Sequence, residues 1–208
     1  MSAPTGYFIA FEGGEGAGKS TQESLLAEAL AERGLSVVRT REPGGTPAGE
    51  RIREVLLSPE FDGLDARAEA LLFAAARGEH VARVIGPALD RGDVVICDRY
   101  LDSSVAYQGY GRELGPDRVR DLSLWATGGL LPDLTIVLDV DPTVGLARFD
   151  QRDRLEAEPL AYHQAVRAAF LALAEAEPDR YLVIDAAGQA DDIATAILAR
   201  VLTGMARP

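Results

Sequence analysis

The hydrophobic positions of the chain fall into two alternating kinds of segment. Five short apolar runs predict β-strands, and they read YFIAFE, SVVRT, DVVICD, LTIVLDV and YLVIDA in chain order. Between them, apolar residues recur at helical spacing, as Leu25, Leu26, Ala29 and Leu30 do before Gly34 ends that segment. Strands that alternate with helices indicate a parallel sheet covered on both faces. The pattern therefore predicts an α/β fold, a three-layer sandwich around a five-stranded parallel sheet.

The longer segments between the strands set the expected domain organisation. A helix is predicted from Ala48 to Leu57, and residues 65–91 carry an Ala- and Leu-rich helical pattern with a break near Gly78. The segment REPGGTP lies between the second strand and the first of these helices, and its proline and paired glycines predict a loop. Residues 148–159, RFDQRDRLEAEP, are the least core-like stretch and are predicted to form a short lid. We expect one domain over residues 1–208 with this lid as an insertion.

Composition and charge exclude several classes of protein. The formal net charge of -12 repels polyanions, so an extended DNA or RNA footprint is not expected. No run of 18 apolar residues and no basic leader are present, so we expect a cytoplasmic protein without a membrane span. The single cysteine, Cys97, lies in the apolar run VVIC and is predicted to be a buried, inert thiol. Any phosphate ligand would need a local basic site.

A glycine-rich loop, EGGEGAGKST, occupies residues 12–21 after the first predicted strand. It fits the pattern G-x-x-x-x-G-K-[ST] between a strand and a helix, as this phosphate-binding motif requires. The backbone N–H groups of such a loop surround phosphate oxygens, the lysine reaches the β- and γ-phosphates, and the serine hydroxyl binds Mg²⁺. The chain has one lysine among 21 basic residues, and it stands at this position. The predicted ATP-binding residues are Gly13, Gly14, Glu15, Gly16, Ala17, Gly18, Lys19, Ser20 and Thr21.

The rest of the chain favours a small-molecule kinase. A GTPase needs a second lysine for its guanine-reading segment, and a protein kinase carries its lysine on another strand. Asp98 and Arg99 end one predicted strand and Arg41 follows another, at the sheet edge where ligands bind in open α/β folds. Arg99 can clamp an acceptor phosphate there, and Asp98 can hold Arg99 or Mg²⁺-bound water. An ATP-binding regulatory module without turnover remains an alternative.

A base pocket is suggested by two further groups of residues. Phe73 and Arg77 stand four apart on a predicted helix, so they share a face on which a ring can stack and a guanidinium can read a base edge. Taken alone, such a pair on a long helix more often means a core ring and a solvated rim. The polar segment DSSVAYQGYGRE follows Arg99 directly and would bring its side chains to the same strand end, namely Ser103, Ser104, Tyr107 and Gln108.

At this point the chain resembles bacterial thymidylate kinases, which convert dTMP and ATP to dTDP and ADP. The resemblance rests on FIAFEGGEGAGKST, REPGGT, DRYLDSSVAYQGYGR, PDLTIVLDVDP and DRLE, in that order, and it runs from Tyr7 to Ala186. The P-loop is shared with many enzymes, whereas REPGGT and DRY with SSVAYQG are specific. The resemblance implies ATP as donor, Mg²⁺ as cofactor and a homodimer. Residues 65–91 and 118–126 could supply the interface.

The resemblance also implies roles for single residues. Phe73 would stack on thymine and Arg77 would bind its O4 edge, while Tyr107 would crowd the 2′ position of the sugar. The implied dTMP-binding set is Glu42, Arg53, Phe73, Arg77, Arg99, Ser103, Ser104, Tyr107 and Gln108. The implied metal set is Ser20, Glu42 and Asp98, and the implied catalytic set is Lys19, Arg99, Arg152, Asp98 and Glu15.

One departure narrows the expected branch of the family. Some members carry an arginine inside the P-loop, but the variable positions here are Gly14, Glu15, Gly16 and Ala17. The resemblance then implies that lid arginines meet the transition-state charge, and Arg148, Arg152 and Arg154 are available. Arg152 is the predicted lid contact. Another nucleoside or nucleotide kinase of the P-loop class remains the alternative function.

Overall fold

The computed structural model describes residues 6–148 and 153–206 and confirms the predicted fold class. Its strands are β1 (Tyr7–Gly13), β2 (Val37–Arg41), β3 (Val94–Asp98), β4 (Leu134–Asp139) and β5 (Tyr181–Asp185). All pairings between neighbours are parallel, in the order β2-β3-β1-β4-β5. In register, Phe11 and Arg41 both align with Asp98, so the carboxyl ends of three strands meet at one edge.

Helices cover both faces of this sheet. In the described residues they are α1 (Lys19–Ala31), α2 (Pro47–Leu57), α3 (Ala66–His80), α4 (Gly86–Asp90), α5 (Leu101–Ser104), α6 (Pro116–Thr127), α7 (Pro142–Leu146), α8 (Leu160–Ala176) and α9 (Ala190–Met205). A 3₁₀ turn spans Pro59–Phe61, and wider π-helical turns span Val81–Ile85 and Val105–Gly111. No helix in residues 6–148 or 153–206 is long and apolar enough to cross a membrane.

The alternation of side chains along β1 explains the two cores. Ile9 and Phe11 point to one face, where they join residues of α1 and α9 such as Leu30 and Ile197. Phe8 and Ala10 point to the other face, into a core that includes Ile85 and Tyr100. The three central strands, β1, β3 and β4, are buried on both faces and therefore read as continuous apolar runs in the sequence.

Local signals fix the helices that border the site. Thr46 caps α2, its side chain accepting a hydrogen bond from Gly49 N at 3.0 Å, and Pro47 follows as the first helical residue.

The prediction of a helix break near Gly78 is wrong, because α3 continues through this residue. A Cβ at Gly78 would lie 2.9 Å from the carbonyl oxygen of Ala126. The glycine therefore lets α3 approach α6 closely.

Candidate active site

A cavity of about 440 Å³ opens at the carboxyl edge of the sheet. Its walls come from the loop after β1, the ends of β2 and β3, helix α3, the turn Val105–Gly111 and the segment after α7. The ends of parallel strands converge at this place in α/β folds, where ligands characteristically bind. The cavity thus joins the predicted phosphate loop to the predicted acceptor residues.

The phosphate loop has the backbone that the motif requires. Gly16 adopts a φ of 64°, and a Cβ there would collide with the carbonyl oxygen of Gly145 in α7. Helix α1 begins at Lys19, directly after the loop, so its first-turn N–H groups have no intrahelical partners. These donors and the helix dipole face the cavity mouth, where Ser20 and Thr21 are exposed.

Lys19 lies over the loop with a buried side chain. Its Nζ donates to Gly13 O at 3.2 Å and to Gly14 O at 3.1 Å. Burial lowers the pKa of Lys19 and the Arg99 guanidinium lowers it further, while Asp98 opposes both. An ammonium carries three donors, so one remains for a phosphate oxygen.

Arg99 stands in an unusual backbone conformation at the end of β3. Its φ is 64°, a region that residues other than glycine adopt at an energetic penalty and that is enriched at functional sites. Its guanidinium donates to Glu15 Oε1 at 2.6 Å and to Gly13 O at 3.1 Å, and it lies over the ring of Tyr107 at 5.0 Å. Although burial opposes it, the Glu15 carboxylate raises the pKa of Arg99. Arg99 is therefore a fixed cation beside the phosphate loop.

Glu15 is the group that orients this cation. The hydroxyl of Tyr107 donates to the same Oε1 atom at 2.7 Å. Burial would raise the pKa of Glu15, but Arg99 and then Lys19 outweigh it and lower the pKa to about 2. The carboxylate is thus ionised and links the phosphate loop to the segment that carries Tyr107.

Glu12 is a buried carboxylate behind the site that the sequence analysis did not single out. Its Oε1 accepts from Tyr100 N at 2.9 Å and from Ser103 N at 3.0 Å, and its Oε2 accepts from the Ser103 hydroxyl at 2.5 Å. Burial and the nearby Asp102 raise its pKa to about 7. These bonds clamp the chain immediately after the strained Arg99. A lone acid at the end of the apolar run YFIAF was the available signal.

Oxygen donors for a divalent cation are present beside the phosphate loop. Asp98 lines the cavity, and its Oδ1 is buried without a hydrogen-bond partner among the described residues. Burial raises the pKa of the neighbouring Glu23 to about 7, and the negative charge of Asp98 adds to this effect. An unpaired buried carboxylate oxygen near an exposed serine hydroxyl fits Mg²⁺, a hard cation that prefers oxygen ligands.

Further arginines line the acceptor side of the cavity. Arg53 donates to Pro43 O at 2.9 Å, and Arg41 pairs with Glu50 at 2.8 Å. Burial lowers the pKa of Arg53, and the like charge of Arg41 adds to this effect. Two neighbouring guanidiniums repel each other, so an anion placed between them would be bound favourably.

The predicted base residues take two different places. Phe73, Ser104 and Gln108 line the cavity. Arg77 lies behind the wall at 1% exposure, where its Nη2 donates to Ser104 Oγ at 3.0 Å and its Nε donates to Glu42 Oε2 at 2.7 Å. Within the described structure, Arg77 does not line the cavity. Its predicted contact with a base edge stays a prediction, and the visible contact is with Ser104.

Glu42 and Ser103, also predicted to bind ligand or metal, line the cavity with most of their polar atoms already engaged. The second carboxylate oxygen of Glu42 lies 3.0 Å from His80 Nδ1, and His80 Nε2 lies 2.6 Å from Thr40 Oγ1. His80 is fully buried, and the sequence analysis did not single it out. Cys97 is buried, and burial raises the pKa of its thiol, which agrees with the predicted inert role. Its Sγ donates to Arg99 O at 3.0 Å.

The three candidate lid arginines are also divided. Arg148 lines the cavity and donates to Gly16 O in the phosphate loop. Arg154 is buried and turned toward Glu69, with Nη2 2.6 Å from Glu69 Oε2 and Nε donating to Leu56 O at 2.8 Å. Arg152, the predicted lid contact, lies outside the described residues. Of the described pair, Arg148 is the one beside the phosphate loop.

Comparisons with known proteins identify the family to which this chain is similar. A family model for thymidylate kinase matches residues 11–197. A thymidylate kinase of Leifsonia xyli subsp. xyli is 57% identical over 208 residues, which cover 97% of this chain and 98% of that protein. One of Clavibacter sepedonicus is 56% identical over 200 residues, covering 94% of each. The crystal structure of a thymidylate kinase from Ehrlichia chaffeensis is similar with a TM-score of 0.76 and 36% identity, covering 95% of this chain and 98% of that one.

Proposed function

The chain belongs to the thymidylate kinase family, and from this membership we infer that it is a phosphotransferase that converts dTMP to dTDP with ATP as the phosphoryl donor. One observation within the molecule supports this most strongly. A single cavity is lined by the phosphate loop around Lys19 on one side and by Arg99, Tyr107 and Phe73 on the other. Donor and acceptor phosphates could therefore meet inside it.

The proposed reaction depends more on how the two phosphates are positioned than on protein groups that form covalent bonds or transfer protons. The acceptor is a phosphate oxygen that is already anionic, so no protein base is assigned. Arg99, held by Glu15 and Gly13, would bind the acceptor phosphate together with Arg53. Lys19 and the first turn of α1 would bind the donor phosphates, so that the reacting atoms would be held in line. Arg148 would add positive charge near the transferred group.

We propose Mg²⁺ as the cofactor, held by Ser20 and Asp98 with Glu42 nearby. The unpartnered buried Oδ1 of Asp98 supports the first site, whereas both oxygens of Glu42 already face Arg77 and His80. When bound, Mg²⁺ would neutralise charge that develops on the phosphate oxygens. Glu12 and Glu15 meanwhile keep Arg99 in its orientation.

A deoxynucleoside kinase is the alternative within the same class. Its acceptor is a neutral hydroxyl, which needs a general base rather than several cations. Arg41, Arg53 and Arg99 all line the acceptor side here, and a cluster of guanidiniums suits a phosphate. The arginines thus favour a monophosphate acceptor.

An acceptor panel tests the proposed function. ADP release is measured with Mg-ATP and each of dTMP, dUMP, UMP, dCMP, AMP, GMP and thymidine. Turnover should be strong with dTMP, weak with UMP and absent without acceptor. ADP release that is independent of the acceptor would instead indicate an ATPase, and preference for thymidine would overturn the phosphate-clamp role of Arg99.

We propose a homodimer on the basis of two exposed apolar side chains on neighbouring helices. Leu71 of α3 is 57% exposed and Trp125 of α6 is 83% exposed, on two helices that pack closely at Gly78. An indole so exposed on a paired-helix surface suits a protein interface. Sedimentation of the wild type should show a dimer that Trp125→Arg disrupts and Leu160→Arg, at another exposed site, does not. A monomeric wild type at micromolar concentration would refute it.

The cytoplasmic location expected from the sequence remains a prediction. It is consistent with substrates that are soluble nucleotides. Fractionation of cells that express the full chain would test it, because the protein should appear with the cytosol and not with membranes.

A further inference from the structure

Glu69 is a completely buried carboxylate that the proposed mechanism does not use. It lies on α3 behind the base side of the cavity, at 0% exposure. Its Oε1 accepts from Gln108 Nε2 at 2.9 Å and from Arg112 Nε at 3.3 Å. Its Oε2 accepts from Arg112 Nη2 at 3.3 Å and lies 2.6 Å from Arg154 Nη2.

Two of the three groups that face this carboxylate, Arg112 and Arg154, can only donate. The two guanidiniums cannot accept a hydrogen bond, and a protonated Glu69 would set its own O–H against one of their N–H groups. Glu69 therefore acts only as an acceptor, and both of its oxygens are committed. A buried polar network of this kind is stable only when each member keeps its donor or acceptor role.

This requirement fixes the side-chain amide of Gln108. Because Glu69 only accepts, Gln108 must turn its NH₂ toward Glu69, and its carbonyl oxygen must face the opposite way. Gln108 lines the cavity, and no described residue donates to that oxygen. We propose that Glu69 is a specificity-determining positioning residue, which makes Gln108 a hydrogen-bond acceptor toward the base.

The polarity of Gln108 selects between pyrimidines, and this step rests on the proposed function. Thymine carries an N–H at ring position 3, which an amide carbonyl can accept. Cytosine carries a bare lone pair at that position, so the same carbonyl would meet another acceptor. A buried mismatch of this kind leaves polar groups unpaired, and enzymes use it to reject close analogues strongly.

Glu69→Gln tests the proposal in the full chain. The shorter ion pair, between Oε2 and Arg154, should attract the new carbonyl, so the new NH₂ would face Gln108. Gln108 can then reverse and present its own NH₂ to the cavity. We expect the ratio of kcat/KM for dTMP over dCMP to fall about 10- to 100-fold, with a gain on dCMP and not only a loss on dTMP. Calorimetric titration of both nucleotides should show the same reversal in affinity.

Glu158→Gln is the matched control. Glu158 Oε1 lies 2.6 Å from Nη1 of the same Arg112, whereas Arg112 reaches Glu69 through Nε and Nη2. It should leave the dTMP over dCMP ratio within about twofold of wild type, because Gln108 keeps its partner. Thermal unfolding confirms that both variants are folded before rates are compared.

Two results would overturn the proposal. A folded Glu69→Gln enzyme with an unchanged ratio, even if it loses activity equally on both nucleotides, or an equal shift in Glu158→Gln would each show that Glu69 only supports the fold. Failure of the proposed function looks different, because the wild type would then not turn over dTMP at all.

Discussion

Replacing Glu15 by glutamine should weaken both the fold and the binding of the acceptor. Glu15 Oε1 receives bonds from Arg99 at 2.6 Å and from Tyr107 at 2.7 Å. Glutamine keeps the shape and one acceptor oxygen but removes the charge. The expected loss can be worked out from the pKa of the carboxyl.

The pKa of Glu15 falls from 4.5 to about 2 in the folded protein, since Arg99 and Lys19 outweigh the opposing effect of burial. Each pKa unit corresponds to about 1.4 kcal/mol, so the charge contributes about 3 kcal/mol. An acid with a lowered pKa gives this stability in full above pH 4.5 and loses it as the pH falls through about 2. At pH 7, Glu15→Gln should thus lose about 3 kcal/mol, or roughly 6–12 °C in Tm for a chain of this size.

Urea unfolding at pH 7 measures the loss of stability, and steady-state kinetics measure the loss of function. With Arg99 less fixed, KM for dTMP should rise about tenfold while KM for ATP stays within about twofold. Glu54→Gln is the control, because Glu54 pairs with Arg51 at 2.9 Å on the open surface and should change stability by less than about 1 kcal/mol. Equal losses in the two variants, or a KM for ATP that rises as much as that for dTMP, would refute the reasoning.

Three more substitutions probe neighbouring groups. Asp98→Asn removes the carboxylate whose Oδ1 is buried and unpartnered among the described residues, and should raise the free Mg²⁺ needed for half-maximal rate about tenfold or more; an unchanged Mg²⁺ dependence would exclude Asp98 from the metal site. Tyr107→Phe removes the hydroxyl that donates to Glu15 and should raise the kcat/KM for UMP relative to that for dUMP about tenfold. An unchanged ratio would mean that Tyr107 does not contact the 2′ position of the sugar. Glu12→Gln should flatten the pH dependence of unfolding. Burial and Asp102 raise the Glu12 pKa from 4.5 to about 7, so wild-type stability falls by roughly 3 kcal/mol as the pH rises across that interval. If urea unfolding at pH 5 and pH 8 shows the same difference in both proteins, Glu12 does not titrate there.

The strands and the phosphate loop could be predicted because their signals are local. Apolar runs mark the three central strands, which are buried on both faces, and the phosphate-loop pattern is recognised by the strand before it and the helix after it. The P-loop lies where it was expected, with Lys19 at the start of α1. The helix break near Gly78 was predicted wrongly, because a glycine in a helical pattern favours a break when only the sequence is considered. In the structure, the close approach of α3 to Ala126 requires a glycine inside the helix.

The supporting groups could not be predicted because they act across long separations in the chain. Glu12 reaches Tyr100 N, 88 residues away, and Glu69 reaches Gln108, 39 residues away. Helical spacing correctly put Phe73 and Arg77 on one face. It could not tell that the ring would line the cavity while the guanidinium passes behind it to Ser104. Such partner choices are set by tertiary packing, which no local pattern encodes.

The most direct test of the central claim is identification of the product. The purified chain is incubated with Mg-ATP labelled at the γ-phosphate and with dTMP, and the labelled species are separated by chromatography. The account predicts that label appears in dTDP at the same rate as ADP forms, and that Arg99→Lys, which lacks the planar fork, greatly reduces both. Label in inorganic phosphate alone, with dTMP unchanged, would contradict it.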